Sequence, residues 1–299
     1  MYDNPCSNIA KTISEFDERG NKTKISHFDT YGTPCSNTEG YAILDFVYDE
    51  RGNERKCTFW GVETDLVDEN NQSVFATYLI YERRSKYNEK GNCVEISYFD
   101  RNGNLCFGKD SVAVQISEYD EYGRCFQEYY YDTAGKRCNN ENGVAMYNIL
   151  DYDERGNYTK IECLDKKGKP CFDKYGVAIY ISEYDQRGNC IKTSYFDTTE
   201  NPCSNKNGIA TYIFEYNKRD LLTREVYLDT DGKPCLNENG YAEVRIEYDE
   251  RERVINRREY DKQGNEIKTS KPDFTKLGYR RPFSHLQNST TNATNDYKK

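Results

Sequence analysis

The sequence is poor in what enzyme active sites and large cores are usually made from. His27 and His285 are its only histidines in 299 residues. With no third histidine and no Ser–His or Cys–His pairing in view, a Ser/His/Asp or Cys/His mechanism is not expected, and a His-rich metal site is excluded. Only 36% of the residues are apolar, and that share includes 28 Tyr and 12 Cys. The aliphatic side chains that fill large globular cores are therefore scarce. No run approaches the ~20 apolar residues of a membrane span. The opening segment, MYDNPCSNIAKTISEFDERGN, has no apolar stretch of the secretory kind, so the expectation is a soluble, cytoplasmic chain. A basic surplus is missing too. Lys and Arg number 42 against 51 Asp and Glu, a net charge of −9, which disfavours sequence-independent nucleic-acid binding. No window sustains a 3.6-residue apolar period with caps, so helices are not expected.

What is present is a repeat. Asp17, Asp29 and Asp49 are spaced 12 and then 20 residues apart, as are Asp153, Asp165 and Asp185, and Asn217, Asp229 and Asp249. Asp120, Asp132 and Asp153 show 12 and then 21. The period predicts about eight units of roughly 32 residues, stacked so that each buries a modest apolar face against its neighbours. The recurring aromatic-Asp-x-x-Gly-Asn string, as in Phe16 to Asn21, Tyr48 to Asn53 and Tyr152 to Asn157, is a turn signal. Asp can hydrogen-bond backbone two residues on, and Gly supplies a positive φ. Flanking segments such as Val177 to Tyr184 have strand composition. Their alternation puts Val177, Ile179 and Ile181 on one face, expected to be the more buried, and Ala178, Tyr180, Ser182 and Tyr184 on the other. A longer Asp-x-x-Gly-x-Pro-Cys-x-Asn-x-x-Gly-x-Ala loop follows each second strand, with Pro34, Pro170, Pro202 and Pro234 at a position that cannot sit inside a ladder. The predicted fold is all-β: an elongated, twisted array of β-hairpins, either an open repeat sheet or a β-solenoid. The array covers residues 1–269 and a polar, disordered tail covers 270–299. Met1 to Asn8 reads as the second half of a unit.

One copy departs from the pattern. Between Gly61 and Asn88 there are 27 residues where 20 are expected, and Val67 stands where Cys recurs. The sole tryptophan, Trp60, lies beside this irregularity near 57–92. Irregular copies of a repeat are where a local site is sought.

Cysteines fall in two columns. Cys35, Cys106, Cys138, Cys171, Cys203 and Cys235 lie six residues after the second Asp of each unit, and Cys93, Cys125 and Cys190 lie five after the first. There is no CxxC, so zinc is not indicated. The expected role is reduced, small packing groups. Asp229-Thr230-Asp231-Gly232 begins like an EF-hand loop but has Gly240 at the twelfth position instead of Glu. Paired carboxylates could serve glycoside hydrolysis, yet the turn role accounts for nearly all the recurring Asp.

The aromatic-Asp-x-x-Gly-Asn core, iterated with Tyr-Phe-Asp-x-x-Gly between, resembles the bacterial YD-repeat proteins of the Rhs type. It is also similar to the looser MORN-like and WG-like hairpin repeats. The Pro-Cys-x-Asn loop is not part of the YD signature, and Rhs-type shells use many more repeats. The resemblance implies a bacterial hairpin array for binding or scaffolding and carries over no catalytic residue.

The functional expectation is a non-catalytic scaffold that binds a protein partner through a Tyr-rich face, since amphipathic rings favour interfaces. The candidate contact residues are Trp60, Tyr78, Tyr81, Arg83, Arg84, Tyr98, Tyr130 and Tyr195. The alternatives are a carbohydrate- or cell-wall-binding module and, third, a β-sheet glycoside hydrolase. No metal, no cofactor and no nucleic-acid partner is expected.

Overall fold

A computed structural model describes residues 9–37, 40–60, 81–108 and 110–270. Their regular structure is entirely β. The strands are β1 (Lys11–Phe16), β2 (Lys22–Phe28), β3 (Ile43–Tyr48), β4 (Glu54–Trp60), β5 (Glu82–Tyr87), β6 (Cys93–Phe99), β7 (Val114–Tyr119), β8 (Cys125–Tyr131), β9 (Met146–Tyr152), β10 (Tyr158–Leu164), β11 (Ile179–Tyr184), β12 (Cys190–Phe196), β13 (Thr211–Tyr216), β14 (Leu222–Leu228), β15 (Glu243–Tyr248), β16 (Val254–Tyr260) and β17 (Glu266–Ser270).

The chain divides into two compact units, the first holding described residues up to 123 together with 129–141, the second holding 124–128 and 142–270. In the first, β1 to β7 pair antiparallel in chain order. In the second, β9 to β17 do the same. The hairpins lie side by side in an open antiparallel sheet and do not close into a barrel, so of the two expected architectures the open repeat sheet is the one adopted.

The tight turns form for the reason the sequence indicates. Asp17 Oδ1 accepts the backbone N–H of Arg19 at 3.0 Å and of Asn21 at 2.8 Å, while the Asn21 side-chain amide donates to Oδ2 at 2.9 Å. Gly20 sits at φ 83°, which a side chain would oppose. The same carboxylate clasp recurs at Asp49, Asp153, Asp185 and Asp261. Just beyond the turn the register shifts: Glu15 pairs with Lys24, but Phe16 pairs with Lys22. This bulge turns the first residue of the second strand onto the same face as the fourth and sixth. It explains why Cys125 and Cys190 of the second cysteine column are buried, with Cys93 half-buried.

The long loop is two further Asx turns in succession. Asp29 clasps Tyr31 and Thr33, and eight residues on Asn37 accepts the Tyr41 N–H. Asp173, Asn205 and Asn237 repeat the latter. Between the two turns Pro34 bridges Phe28, and the Cys35 N–H donates to the His27 carbonyl at 3.0 Å. The loops thus fold back over one sheet face and supply its second layer. In the second unit the loop residues Ile209, Cys235 and Tyr241 pack with the strand residues Tyr227, Val244, Ile246 and Val254. In the first, Tyr41 packs with Ile25, Leu44, Phe46 and Cys57.

This corrects the expected assignment of faces. Tyr180 is buried, as are Val177, Ala178 and Ile179, whereas Ile181 is only half-buried. The covered face is the one that carries Tyr180, because the loop folds onto that side.

Neighbouring repeats are riveted by the tyrosine that precedes each turn Asp. Tyr48 donates to the Lys22 carbonyl at 2.8 Å, Tyr87 to Glu54 at 2.9 Å, Tyr119 to Cys93 at 2.9 Å, Tyr184 to Tyr158 at 3.1 Å and Tyr248 to Leu222 at 2.8 Å. The turn arginines make a second row of rivets. Arg187 donates to the Asn217 carbonyl at 2.7 Å and Arg219 to those of Asp249 and Glu250 at 2.8 Å.

Candidate functional site

Most groups that could carry chemistry are engaged in building the repeat. The tight-turn carboxyls of Asp17, Asp49, Asp153, Asp185 and Asp261 are held below the ordinary carboxylate range by the amides whose bonds they accept. At Asp185 burial alone would raise the value, but the Asn189 backbone and side-chain amides and the Arg187 backbone and charge outweigh it, and the group sits at about 2. The covered-face tyrosines form an edge-to-face ladder. Ring centroids are 5.2 Å apart for Tyr180–Tyr195, 5.8 Å for Tyr195–Tyr212 and 5.4 Å for Tyr212–Tyr227, favourable aromatic geometry. Burial pushes Tyr212 up to about 12. Tyr180 is raised further by burial together with the Asp173 carboxylate that its hydroxyl meets. His27, in the same column as Tyr195, accepts or donates a bond with Thr12 at 3.0 Å and is lowered by burial. Among the described residues no group of three or more His, Cys, Asp or Glu is placed to hold a metal ion, and no helix is long and apolar enough to cross a membrane.

The sequence-derived candidates separate onto the two faces of the sheet. Tyr130 and Tyr195 are 2% and 6% exposed, in the covered layer. Tyr98 also lies on that side, its ring so close to Gly108 that a Cβ there would stand 2.5 Å from Cδ2 and Cε2. Arg83 points into the covered layer as well, where its Nη2 meets Glu54 Oε1 at 2.7 Å. Their columns hold Leu44 and Tyr180 in one case and Cys125 and Cys190 in the other, so this is an ion pair set where those units are apolar or thiol-lined. Glu54 Oε2 and Arg83 Nε find no hydrogen-bond partner among the described residues.

Trp60 and Tyr81 meet at the end of β4, while Arg84 lies farther along β5, opposite Lys56. Trp60 ends β4, 44% exposed, and its Nε1 donates to Asp45 Oδ2 at 2.6 Å. The Tyr81 ring stands edge-on to it, 5.4 Å between centroids at 81°. Arg84 lies over the Phe99 ring at 3.9 Å and pairs with Glu82, which Lys56 also meets. The two cations and the burial that opposes them leave Glu82 below its ordinary range. Asp45, Lys56, Glu82 and Phe99 were not singled out from sequence. One signal was readable: counting back seven residues from the turn Asp or Asn gives Ala42, Ala113, Ala178, Ala210 and Ala242, but Tyr81. A tyrosine thus occupies the small-residue column in this copy. Tyr78, Val67 and the rest of 61–80 lie outside the described residues, as do 271–299.

No protein-family model matches the chain, and no curated protein matches it. Among solved structures it is similar to a chain of the TcdB2-TccC3-Cdc42 crystal structure, with TM-score 0.41, 12% identity, and coverage of 85% of this chain and 11% of the other. The TcdB2-TccC3-TEV structure gives 0.34, 12%, 86% and 14%. A Photorhabdus luminescens Tc holotoxin pore with a TccC3 mutation gives 0.30, 14%, 90% and 15%. The chain therefore spans between 11% and 15% of the length of these chains.

Proposed function

We propose that this chain is a non-catalytic repeat scaffold that binds a protein partner through the uncovered face of β4 and β5, centred on Trp60, Tyr81 and Arg84. The observation that carries the reading is the exposed Trp60, held by Asp45 and Tyr81, with Arg84 stacked on Phe99 farther along β5. Trp, Tyr and Arg, oriented before contact, are the residue types that dominate binding energy at protein interfaces. Many other strand tyrosines, Tyr130, Tyr147, Tyr180, Tyr195 and Tyr227 among them, are internal, and the exposed Tyr31, Tyr122 and Tyr175 lie in turns and loops, so the reading centres on this patch. The tight-turn carboxylates of Asp17, Asp49, Asp153, Asp185 and Asp261 are each engaged by at least three N–H donors, which supports the non-catalytic part of the reading.

The test is partner capture with four variants of the full chain. Trp60→Ala and Arg84→Glu should each weaken a stoichiometric partner at least about tenfold, the effect of ~1.4 kcal/mol. Tyr31→Ala and Tyr122→Ala, at exposed tyrosines outside the patch, should leave it unchanged. Equal behaviour of all four variants refutes the assignment. A second reading, a glycan-binding surface, is favoured by the same exposed ring beside the Asp45 and Glu82 carboxylates. Glycan-array binding abolished by Trp60→Ala, with no protein partner recovered, would select it.

A further inference from the structure

We propose that Cys163 and Cys171 are a latent disulfide pair, closed by a low-molecular-weight disulfide such as oxidised glutathione and reopened by thiols.

The loop cysteine of each repeat donates its backbone N–H to the sixth residue of the strand before it. Across that bond stand His27, Tyr98, Tyr130, Tyr195 and Tyr227 in the other copies, but Cys163 opposite Cys171, at 2.9 Å from nitrogen to oxygen. The neighbouring residues Leu164 and Pro170 form a β-bridge, flanked on its other side by the bond from the Asp165 N–H to the Lys169 carbonyl at 2.8 Å. Cys163 and Cys171 are thus the next antiparallel pair along the same short ladder, and residues directly opposite one another carry their side chains on one face. Ladder spacing puts their Cα atoms about 5.5 Å apart, inside the roughly 4.4–6.8 Å that a disulfide spans. The two thiols also lie within electrostatic reach of each other and of the same carboxylate, Asp173. Cys163 is fully buried and Cys171 half-exposed, which sets the order of events.

Cys171 is the attacking thiol. Its thiolate displaces one glutathione from the oxidant and forms a mixed disulfide. Cys163 then attacks the Cys171 sulfur and displaces the second glutathione. Two protein thiols are oxidised, one glutathione disulfide is reduced to two thiols, and the two protein protons finish on those thiols through solvent. Burial first, then Asp165 and Asp173, push the Cys171 thiol up to about 11, so closure is slow near neutral pH and quickens as pH rises. Once closed, the bond pins the Asp165 turn and the start of the covering loop to β10.

Disulfide mapping of the full chain tests this. The reduced protein is incubated with oxidised glutathione at pH 8.5, acid-quenched, alkylated and digested with trypsin. The expected dominant cross-link joins the tryptic peptides Ile161–Lys166 and Gly168–Lys174, and alkylatable thiols fall by two per chain. Cys171→Ser, a change at a half-exposed site, should abolish the cross-link and leave no other pair in its place. Recovery of both cysteines free, of glutathione stably retained on Cys171, or of a different dominant pair overturns the proposal.

Discussion

Removing one side chain of the Glu54–Arg83 pair should be far more damaging than removing both. Glu54 is 3% exposed, and among the described residues Arg83 Nη2 is its only cationic contact, at 2.7 Å. Arg83→Leu leaves a carboxylate in the covered layer with no counter-charge, which costs about 3–5 kcal/mol. We expect the lower end, about 3 kcal/mol, because the Arg83 side chain keeps 16% exposure and water can enter where it withdraws. The double variant Glu54→Leu/Arg83→Leu returns both columns to the apolar character they have at Leu44 and Val254. It also removes Glu54 Oε2 and Arg83 Nε, two buried atoms without a hydrogen-bond partner among the described residues. A buried pair replaced by packed apolar groups is often neutral or stabilising by 1–4 kcal/mol, so the double variant should lie within about 1 kcal/mol of the parent or above it. The assay is urea denaturation followed by circular dichroism. Hydrogen exchange of β4 and β5 amides gives the local readout, since a repeat array need not unfold in one step. The reasoning fails if Arg83→Leu costs under about 1 kcal/mol, or if the double variant is as unstable as the single one.

Tyr248→Phe removes the bond to the Leu222 carbonyl and should cost about 1 kcal/mol, with amide exchange accelerated first in β14 and β15; uniform acceleration along the chain would contradict a local rivet. Gly108→Ala forces the Tyr98 ring, 2.5 Å from the new Cβ, out of place. It should cost about 1–3 kcal/mol, and a milder loss in the Tyr98→Leu background would confirm the clash. Glu225 is pushed up to about 7 chiefly by burial, against the bond to Tyr227 and the charge of Arg257. A carboxyl raised above its unfolded value near 4.3 contributes stability that is full below that value and lost as pH rises through about 7. Glu225→Ile, the residue of Ile161 in the same column, should therefore gain on the parent by roughly 2–4 kcal/mol between pH 5 and 8, and a pH-independent difference would refute the assignment. The depressed turn carboxyls run the other way. Their stabilisation is present above the unfolded value near 3.9 and lost as pH falls towards about 2 at Asp185, so an acid titration should show unfolding between those limits, less steep in Asp185→Asn.

The Asp17, Asp29 and Asp49 spacing and its recurrences were legible because a turn is a local event. One carboxylate, two N–H groups and a glycine at φ 83° lie within five residues, and nothing remote is needed to read them. Strand composition, the all-β class and the location of the irregular copy followed from the same short-range rules. The candidate site was legible only in part. Trp60 and Arg84 stood out by type and position, whereas Asp45 and Phe99 reach them from strands 15 residues away on either side.

Sequence alone therefore determined the repeat, its turns and its hairpins, since each depends on bonds made within one unit, whereas the choice of an open sheet over a solenoid was made by the tertiary structure. Tertiary structure decided which face is covered. Period-2 alternation states that two faces differ, but the loop residues that fold back, Pro34 and Tyr41 among them, determine which one is inside. The bulge at Phe16 and Lys22 determines that a residue of nominally opposite parity joins it. That choice buries Tyr130 and Tyr195, sets Arg83 against Glu54, turns Trp60 outward, and brings Cys163 opposite Cys171.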